Sequence, residues 1–242
     1  MKKTVILLAA VMMSMLISCS ESKIDLSKAV IVYDPADAHL VAQMAETLAD
    51  DIERVSGVRP RVSTIETEGP VVVLGTVGGS SYLSHGDGLD GKWEAFSIKT
   101  KNGRVEVAGS DPRGLAYGAF RISEAIGVNP WYWWADVPVA KDRSPKYGEN
   151  HVSDEPSIKY RGVFINDEDW GLKTWSERNF EKELGDIGPK TYDKVCELLL
   201  RLKANMLAPA MHTCTGAFYS HPESQVMDRG CGNYEEGYRT VL

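Results

Sequence analysis

Two stretches decide the fold: Tyr160–Gly171, YRGVFINDEDWG, and Gly185–His212, GDIGPKTYDKVCELLLRLKANMLAPAMH. In the first, residues 159–165 read as a strand. The apolar run empties at once into Asn166, Asp167, Glu168 and Asp169, with Trp170 directly behind. In the second, Pro189 suits the first turn of a helix, where its missing N–H has no intrahelical partner to lose. Tyr192, Val195, Leu199 and Leu202 form an apolar stripe at helical spacing, and Lys190, Lys194, Arg201 and Lys203 fall among the polar positions. Residues 205–210 then read as a second buried strand leading to Met211 and His212. Strand, helix, strand in this order opens a parallel β/α array, in which function sits at the C-terminal strand ends.

The four polar residues after the first strand occupy that end, and His212 occupies it after the second. Strand alternation puts Asn166 and Glu168 on one side, Asp167 and Asp169 on the other. Glycoside hydrolysis needs one protonated and one ionised carboxyl group, and crowding of like charges raises at least one pKa. Neighbours on one strand rarely flank a sugar from both sides, so the partner carboxylate is expected from a later strand. On residues alone, a solvated acidic loop or an acidic helix start explains the cluster nearly as well. A calcium loop fits poorly: Gly171 comes one residue early and Arg178 stands where the bidentate Glu belongs.

Upstream, residues 29–33 read as a strand broken by Asp34-Pro35. A long helix follows, with Leu40, Val41, Met44, Leu48, Ile52 and Val55 inside and Glu46, Asp50, Asp51 and Glu53 on the wet face. Gly57 sits where a helix-terminating glycine belongs. Residues 70–75 form a buried-type strand, and 95–99 with 104–108 a hairpin around Asn102-Gly103. A second helix runs from Arg113 to Ile126. These elements make a small α/β unit over residues 24–138. The rings of Trp131, Trp133 and Trp134 are read as a satellite core between two domains, with sugar stacking as the functional alternative. Residues 139–157, with Pro145, Pro156 and mixed charge, read as a linker, and 158–242 as the start of a (β/α)8 barrel. That stretch has room for about two β/α units, where a closed barrel takes ~250 residues and at least ~200.

Residues 1–19 read as a signal peptide: basic Lys2 and Lys3, an apolar Val5–Ile17, then Leu16-Ile17-Ser18-Cys19. This ending resembles the lipobox of bacterial lipoproteins, so Cys19 is the expected lipidation site. Export, with a membrane anchor facing the periplasm or cell surface, follows as the expectation. The net charge is −7, and without a Lys/Arg run it argues against nucleic acid as a partner. Cys196, Cys214 and Cys231 are too few and odd in number for a disulfide framework. His212, Cys214, His221 and Cys231 match no zinc spacing, and no metal is expected. Gly75–Gly79, GTVGG, lacks both the lysine-serine ending and the glycine spacing of phosphate cradles; no cofactor is expected. No GxSxG elbow is present.

YRGVFINDEDWG and GDIGPKTYDKVCELLLRLKANMLAPAMH together resemble the glycoside hydrolase family 115 α-glucuronidases. Residues 109–138, GSDPRGLAYGAFRISEAIGVNPWYWWADVP, resemble that family's N-terminal domain and its junction with the barrel. The resemblance covers most of residues 30–220. It implies an N-terminal α/β domain and a (β/α)8 (TIM) catalytic barrel, of which this chain would carry the beginning. It implies release of glucuronic or 4-O-methylglucuronic acid side groups from xylan, without a metal. By position it puts Asp167 and Glu168 in the sugar pocket as the catalytic candidates. Asn166, Asp169, Trp170, Asn205 and His212 are the substrate-binding candidates. Thr213 stands where relatives are expected to have glutamate. From about Met227 the sequence DRGCGNYEEGYRTVL departs from the family, so the chain is expected to be a truncated or frameshifted, inactive product. Two other readings stay open: a hexosaminidase-like barrel glycosidase, or a non-catalytic glycan-binding lipoprotein using Trp131–Trp134 and Trp170–Trp175.

Overall fold

The computed structural model describes residues 23–221 apart from Asp87, Asp167 and Glu168. Its strands, in chain order, start with β1 (Ile24–Asp25), β2 (Val30–Tyr33), β3 (Arg61–Ser63), β4 (Val71–Thr76) and β5 (Phe96–Lys101). They continue with β6 (Arg104–Gly109), β7 (Lys146–Tyr147), β8 (His151–Val152), β9 (Gly162–Phe164) and β10 (Met206–Ala208). Among the described residues four α-helices accompany them: α1 (His39–Ser56), α2 (Pro112–Ala125), the single turn α3 (Leu172–Trp175) and α4 (Pro189–Arg201). A π turn, Ser176–Phe180, follows α3 directly.

The N-terminal sheet has the order β3-β2-β4-β6-β5-β8. β2, β3, β4 and β6 run parallel, and β5 runs against them, pairing antiparallel with β6 on one side and with β8 on the other. α1 and α2 cover one face, where Leu48, Ile52, Leu115 and Ile122 pack with Ile31, Val72 and Val107. The other face carries Val32, Val71 and Val73 against Tyr82 and Leu83 of the 77–95 loop. With both faces covered, β4 is buried along its whole length, which is why its sequence reads as an unbroken apolar run rather than an alternating one.

Local signals explain the boundaries. α1 ends at Gly57, whose φ of 80° is left-handed and whose N–H donates to Glu53 O at 2.8 Å. Asn102 and Gly103, with φ of 52° and 80°, make the hairpin turn whose twist matches its strands. α2 begins one residue earlier than the spacing predicts: Asp111 caps it, accepting from Gly114 N at 2.8 Å, and Pro112 takes the first position. Residues 139–157 run back over the sheet rather than away from it. β7 pairs with β1, β8 pairs with β5, and Arg121 grips Glu149 through two nitrogens at 2.9 and 2.5 Å.

β9, α4 and β10 form the expected strand-helix-strand unit, with β9 and β10 parallel in the register Gly162↔Met206, Val163↔Leu207, Ala208↔Phe164. Both strands are shorter than the sequence predicts. A Cβ on Gly162 would collide with the Met206 carbonyl, so the close pairing requires glycine there. The face of α4 that carries Tyr192, Val195 and Leu199 packs on Ile165, Ala204 and Ala210. The residues expected at the helix end are exchanged: Leu202 is 44% exposed, while Arg201, read as polar surface, is 3% exposed. Asp51 of α1, also read as surface, is fully buried. Each explains the other, because Arg201 Nη2 donates to Asp51 Oδ1 at 2.9 Å across the junction of the two units.

Candidate active-site edge and the family of the chain

Asp169 and His212 stand just beyond the C-terminal ends of the parallel β9 and β10. Asp169 Oδ2 lies 3.9 Å from His212 Nδ1, and both side chains are about half exposed. At that distance and exposure the contact is weak, worth ~0–1 kcal/mol at most. Trp170 is 84% exposed beside them, and Asn166 is exposed as well. An open aromatic face next to a carboxylate and an imidazole can stack a sugar ring while the polar groups hold its hydroxyls. The catalytic candidates Asp167 and Glu168 lie outside the described residues, as does Cys19.

The supports of this edge come from residues the sequence does not mark as functional. Thr174 Oγ1 donates to Asp169 O at 3.2 Å and ties the acidic loop to α3. Ala210 N donates to the hydroxyl of buried Tyr192 at 3.3 Å. Gly216 N donates to Asp186 Oδ2 at 2.7 Å, pinning the loop after His212 to the connector before α4. Lys173, the cation nearest the acidic loop in sequence, is committed to Glu177 Oε2 at 2.7 Å. That bond holds the Lys173 ammonium above its ordinary range.

α4 lacks a side-chain cap at Gly188, and Glu181 takes the cap's place from outside. Its buried carboxylate accepts from Gly188 N, Lys190 N and Thr191 N at 3.0, 3.1 and 2.8 Å, and from Thr191 Oγ1 at 2.6 Å. A Cβ on Gly188 would collide with this carboxylate. Glu181→Ala is expected to leave those donors buried and unpaired, costing ~1–3 kcal/mol, read as a lower urea midpoint with an unchanged slope.

Asn205 is placed differently from the other substrate-binding candidates. It lies before β10, at the strand end opposite His212, and is 6% exposed. Its amide donates to Glu94 Oε1 at 2.9 Å and Lys159 O at 2.6 Å, and its Oδ1 accepts from Arg161 N at 2.9 Å. The first of these bonds reaches the N-terminal unit and the other two the residues just before β9, away from the edge where Asp169 and His212 meet.

Of the connector rings, Trp133 and Trp134 meet Trp175 at centroid distances of 5.5 and 5.4 Å, and Trp133 meets Phe180 at 5.1 Å. Trp134 Nε1 donates to Lys194 O at 3.0 Å. They form the junction core between the units, and Trp131 keeps one face in solvent. The crevice where strand order reverses, between β2 and β4, is filled by the chain's own groups. Thr76 N donates to Asp37 Oδ2 at 2.7 Å, and Ser81 N and Oγ donate to Asp34 Oδ2 at 2.8 and 2.6 Å. Among the described residues, no three His, Cys, Asp or Glu side chains gather as a metal site.

An α/β sheet unit docked on a parallel β/α unit, with polar groups at the strand ends, is an arrangement found in glycosidases. A Streptomyces plicatus β-hexosaminidase in complex with GlcNAc is similar at a TM-score of 0.52 and 14% identity, over 78% of this chain and 32% of that one. A second solved structure, CpGH84D, is similar at a TM-score of 0.55 and 12% identity, over 92% of this chain and 37% of that one. At these identities the likeness is one of fold. The model of glycosyl hydrolase family 115 matches residues 153–232, five residues past the point at which the resemblance was expected to lapse. A family GH115 4-O-methyl-α-glucuronidase, BtGH115A, with specificity for decorated arabinogalactans, is 34% identical at a TM-score of 0.76 over 87% of this chain. The chain belongs to glycoside hydrolase family 115. It spans 28% of the length of BtGH115A. No curated protein matches the sequence.

Proposed function

We propose that this chain carries the N-terminal domain and the first β/α unit of a (β/α)8 barrel that removes glucuronic or 4-O-methylglucuronic acid side groups from a plant polysaccharide. The observation that carries the reading is the 34% identity to a 4-O-methyl-α-glucuronidase over 87% of this chain, with the family 115 model matching residues 153–232, which hold the β9–α4–β10 unit with Asp169 and His212. In this reading the acidic run after β9 lines the sugar pocket. Asp167 and Glu168 take the acid/base work, Trp170 stacks the ring, and His212 binds a hydroxyl. Two strands do not enclose a sugar, so turnover belongs to the chain together with the strands that close the barrel. The 242 residues alone are expected to show none. Export as a lipoprotein through Cys19 is part of the proposal and rests on residues 1–19.

Xylan is the first polysaccharide to test. Decorated arabinogalactan is the second, because the GH115 relative is specific for it. The test extends the chain with the remaining strands of a family 115 barrel and supplies glucuronoxylan, decorated arabinogalactan and a chromogenic N-acetylhexosaminide. Free uronic acid from either polysaccharide supports the proposal, and which one yields it settles the backbone. Release of N-acetylhexosamine with no uronic acid would overturn it.

A further inference from the structure

Glu94 belongs to the N-terminal unit, and its fully buried side chain is satisfied from both units. Oε1 accepts from Asn205 Nδ2 at 2.9 Å and from Arg113 Nε. Oε2 accepts from Arg161 Nη2, and the Tyr117 hydroxyl lies 3.3 Å away. The same hydroxyl is 3.1 Å from Ala204 O. Glu94 holds a left-handed φ of 48°, which a residue with a Cβ rarely adopts, and Asp111 fixes it by accepting from Glu94 N at 2.6 Å. Backbone strain of this kind persists only where the surroundings over-determine it.

The residues that Glu94 grips in the β/α unit, Arg161 and Asn205, directly precede the first rung of the β9–β10 ladder, Gly162↔Met206. Asn205 N and Met206 N both donate to Arg161 O, at 2.7 and 3.0 Å. The Arg161 guanidinium also donates to Lys203 O at 2.8 Å and Ile158 O at 2.7 Å. Gly162, Val163 and Phe164 are all exposed, so packing does little to position β9 until Ile165 enters the core. A ladder of three residue pairs is about 10 Å long. A tilt or slip at its first rung is therefore carried to its far end, where Asp169 and His212 meet.

We infer that Glu94 is a positioning residue: through Arg161 and Asn205 it sets the register and direction of β9 and β10, and thereby the separation of Asp169 and His212 at the opposite strand ends. The functional meaning of that separation rests on the reading above, but the positioning does not. The test compares amide hydrogen exchange and ring signals of His212 in the 242-residue chain and in Glu94→Gln, which keeps the shape and removes the charge. Tyr117→Phe serves as a milder second variant. Protection at Ile165, Asn205 and Met206 is expected to fall at least about tenfold, and the His212 ring signals to shift. Protection at Val72, Val107 and Leu48 in the N-terminal core should stay unchanged. Tyr117→Phe should give the same pattern, smaller. Unchanged protection of the ladder would overturn the inference, and so would a uniform loss that included the N-terminal core. A chain that passes this test and releases no uronic acid when its barrel is completed would refute the proposed function alone.

Discussion

Arg201→Ala is expected to destabilise the chain by ~3–5 kcal/mol, the range for removing one partner of a buried ion pair. Arg201 sits where α1, α2 and α4 meet. Its Nη2 donates to Asp51 Oδ1 at 2.9 Å, and Nη1 lies 2.9 Å from Asp51 Oδ2 as a charge contact off the hydrogen-bond line. Nε donates to Glu197 Oε1 at 2.9 Å. The guanidinium carbon lies 4.4 Å from the centre of the Phe120 ring and 4.9 Å from that of Tyr132. Burial, and then the charge of Glu197, push the Tyr132 phenol up to about 12, so it stays a neutral donor to Glu197 at 3.0 Å. Removing the guanidinium leaves Asp51 buried with Arg54, 3.7 Å away, as its remaining cation among the described residues. Urea unfolding reads the loss. Arg201→Met with Asp51→Leu, which removes both charges, should recover most of it; a double variant as unstable as Arg201→Ala would show that charge burial is not the cause.

The second large effect is a loss of stability in acid, to which carboxylates at the junction and Glu149 in the N-terminal unit contribute. At Glu94, burial raises the carboxyl pKa, and the hydrogen bonds from Arg161 and Asn205 with the charge of Arg113 more than reverse it. At Glu197, burial likewise raises it, and Arg201 and Lys194 bring it below the ordinary range. At Glu149 the Arg121 hydrogen bond leads, and the carboxyl is held at about 2. A carboxyl whose folded pKa lies below its unfolded one gives stability that is present above the unfolded value and lost as pH falls through the folded one. The unfolded value for Glu is about 4.3, so stability should be flat above about pH 5.5 and decline from there towards pH 2. Urea midpoints across that range check it. In Glu94→Gln the acid slope should flatten, because one of the three groups no longer takes up a proton on unfolding. An equal slope in both proteins would remove Glu94 from the account.

Most of the architecture was legible because each element carries a local signal. The α1 stripe, the run Val71–Leu74, the Asn102-Gly103 turn and Pro189 act within a few residues and do not depend on distant contacts. Arg201 and Asp51 were misread for the opposite reason. A charged residue at the edge of an apolar stripe reads as surface, and only a partner 150 positions away makes its burial tolerable. The segment 139–157 reads as a linker because two-residue strands leave no periodicity to detect. At the candidate site, Asp169 and His212 were legible from their place after the two strands. Asn205 is a candidate only by its position in the family resemblance, and it adjoins the opposite end of the second strand. Which end of a strand a residue occupies depends on where that strand starts, and the strand signal at 205–210 was too short to fix it.

The junction core also determines what an optical measurement on this chain will see. Five of its six tryptophans fall between residues 131 and 175, and Trp133, Trp134 and Trp175 form one edge-stacked group with Phe180. The sixth, Trp93, lies under the Arg161 guanidinium at the same seam, 5.7 Å from ring centre to cation. Intrinsic emission therefore reports chiefly on the seam between the two units, with exposed Trp170 adding a signal from the acidic loop, while the six-stranded sheet is nearly silent. Far-ultraviolet dichroism, dominated by α1, α2 and the sheet, reports on the rest. If the units part before either melts, the two signals will diverge, and an unfolding curve recorded by fluorescence alone will describe undocking.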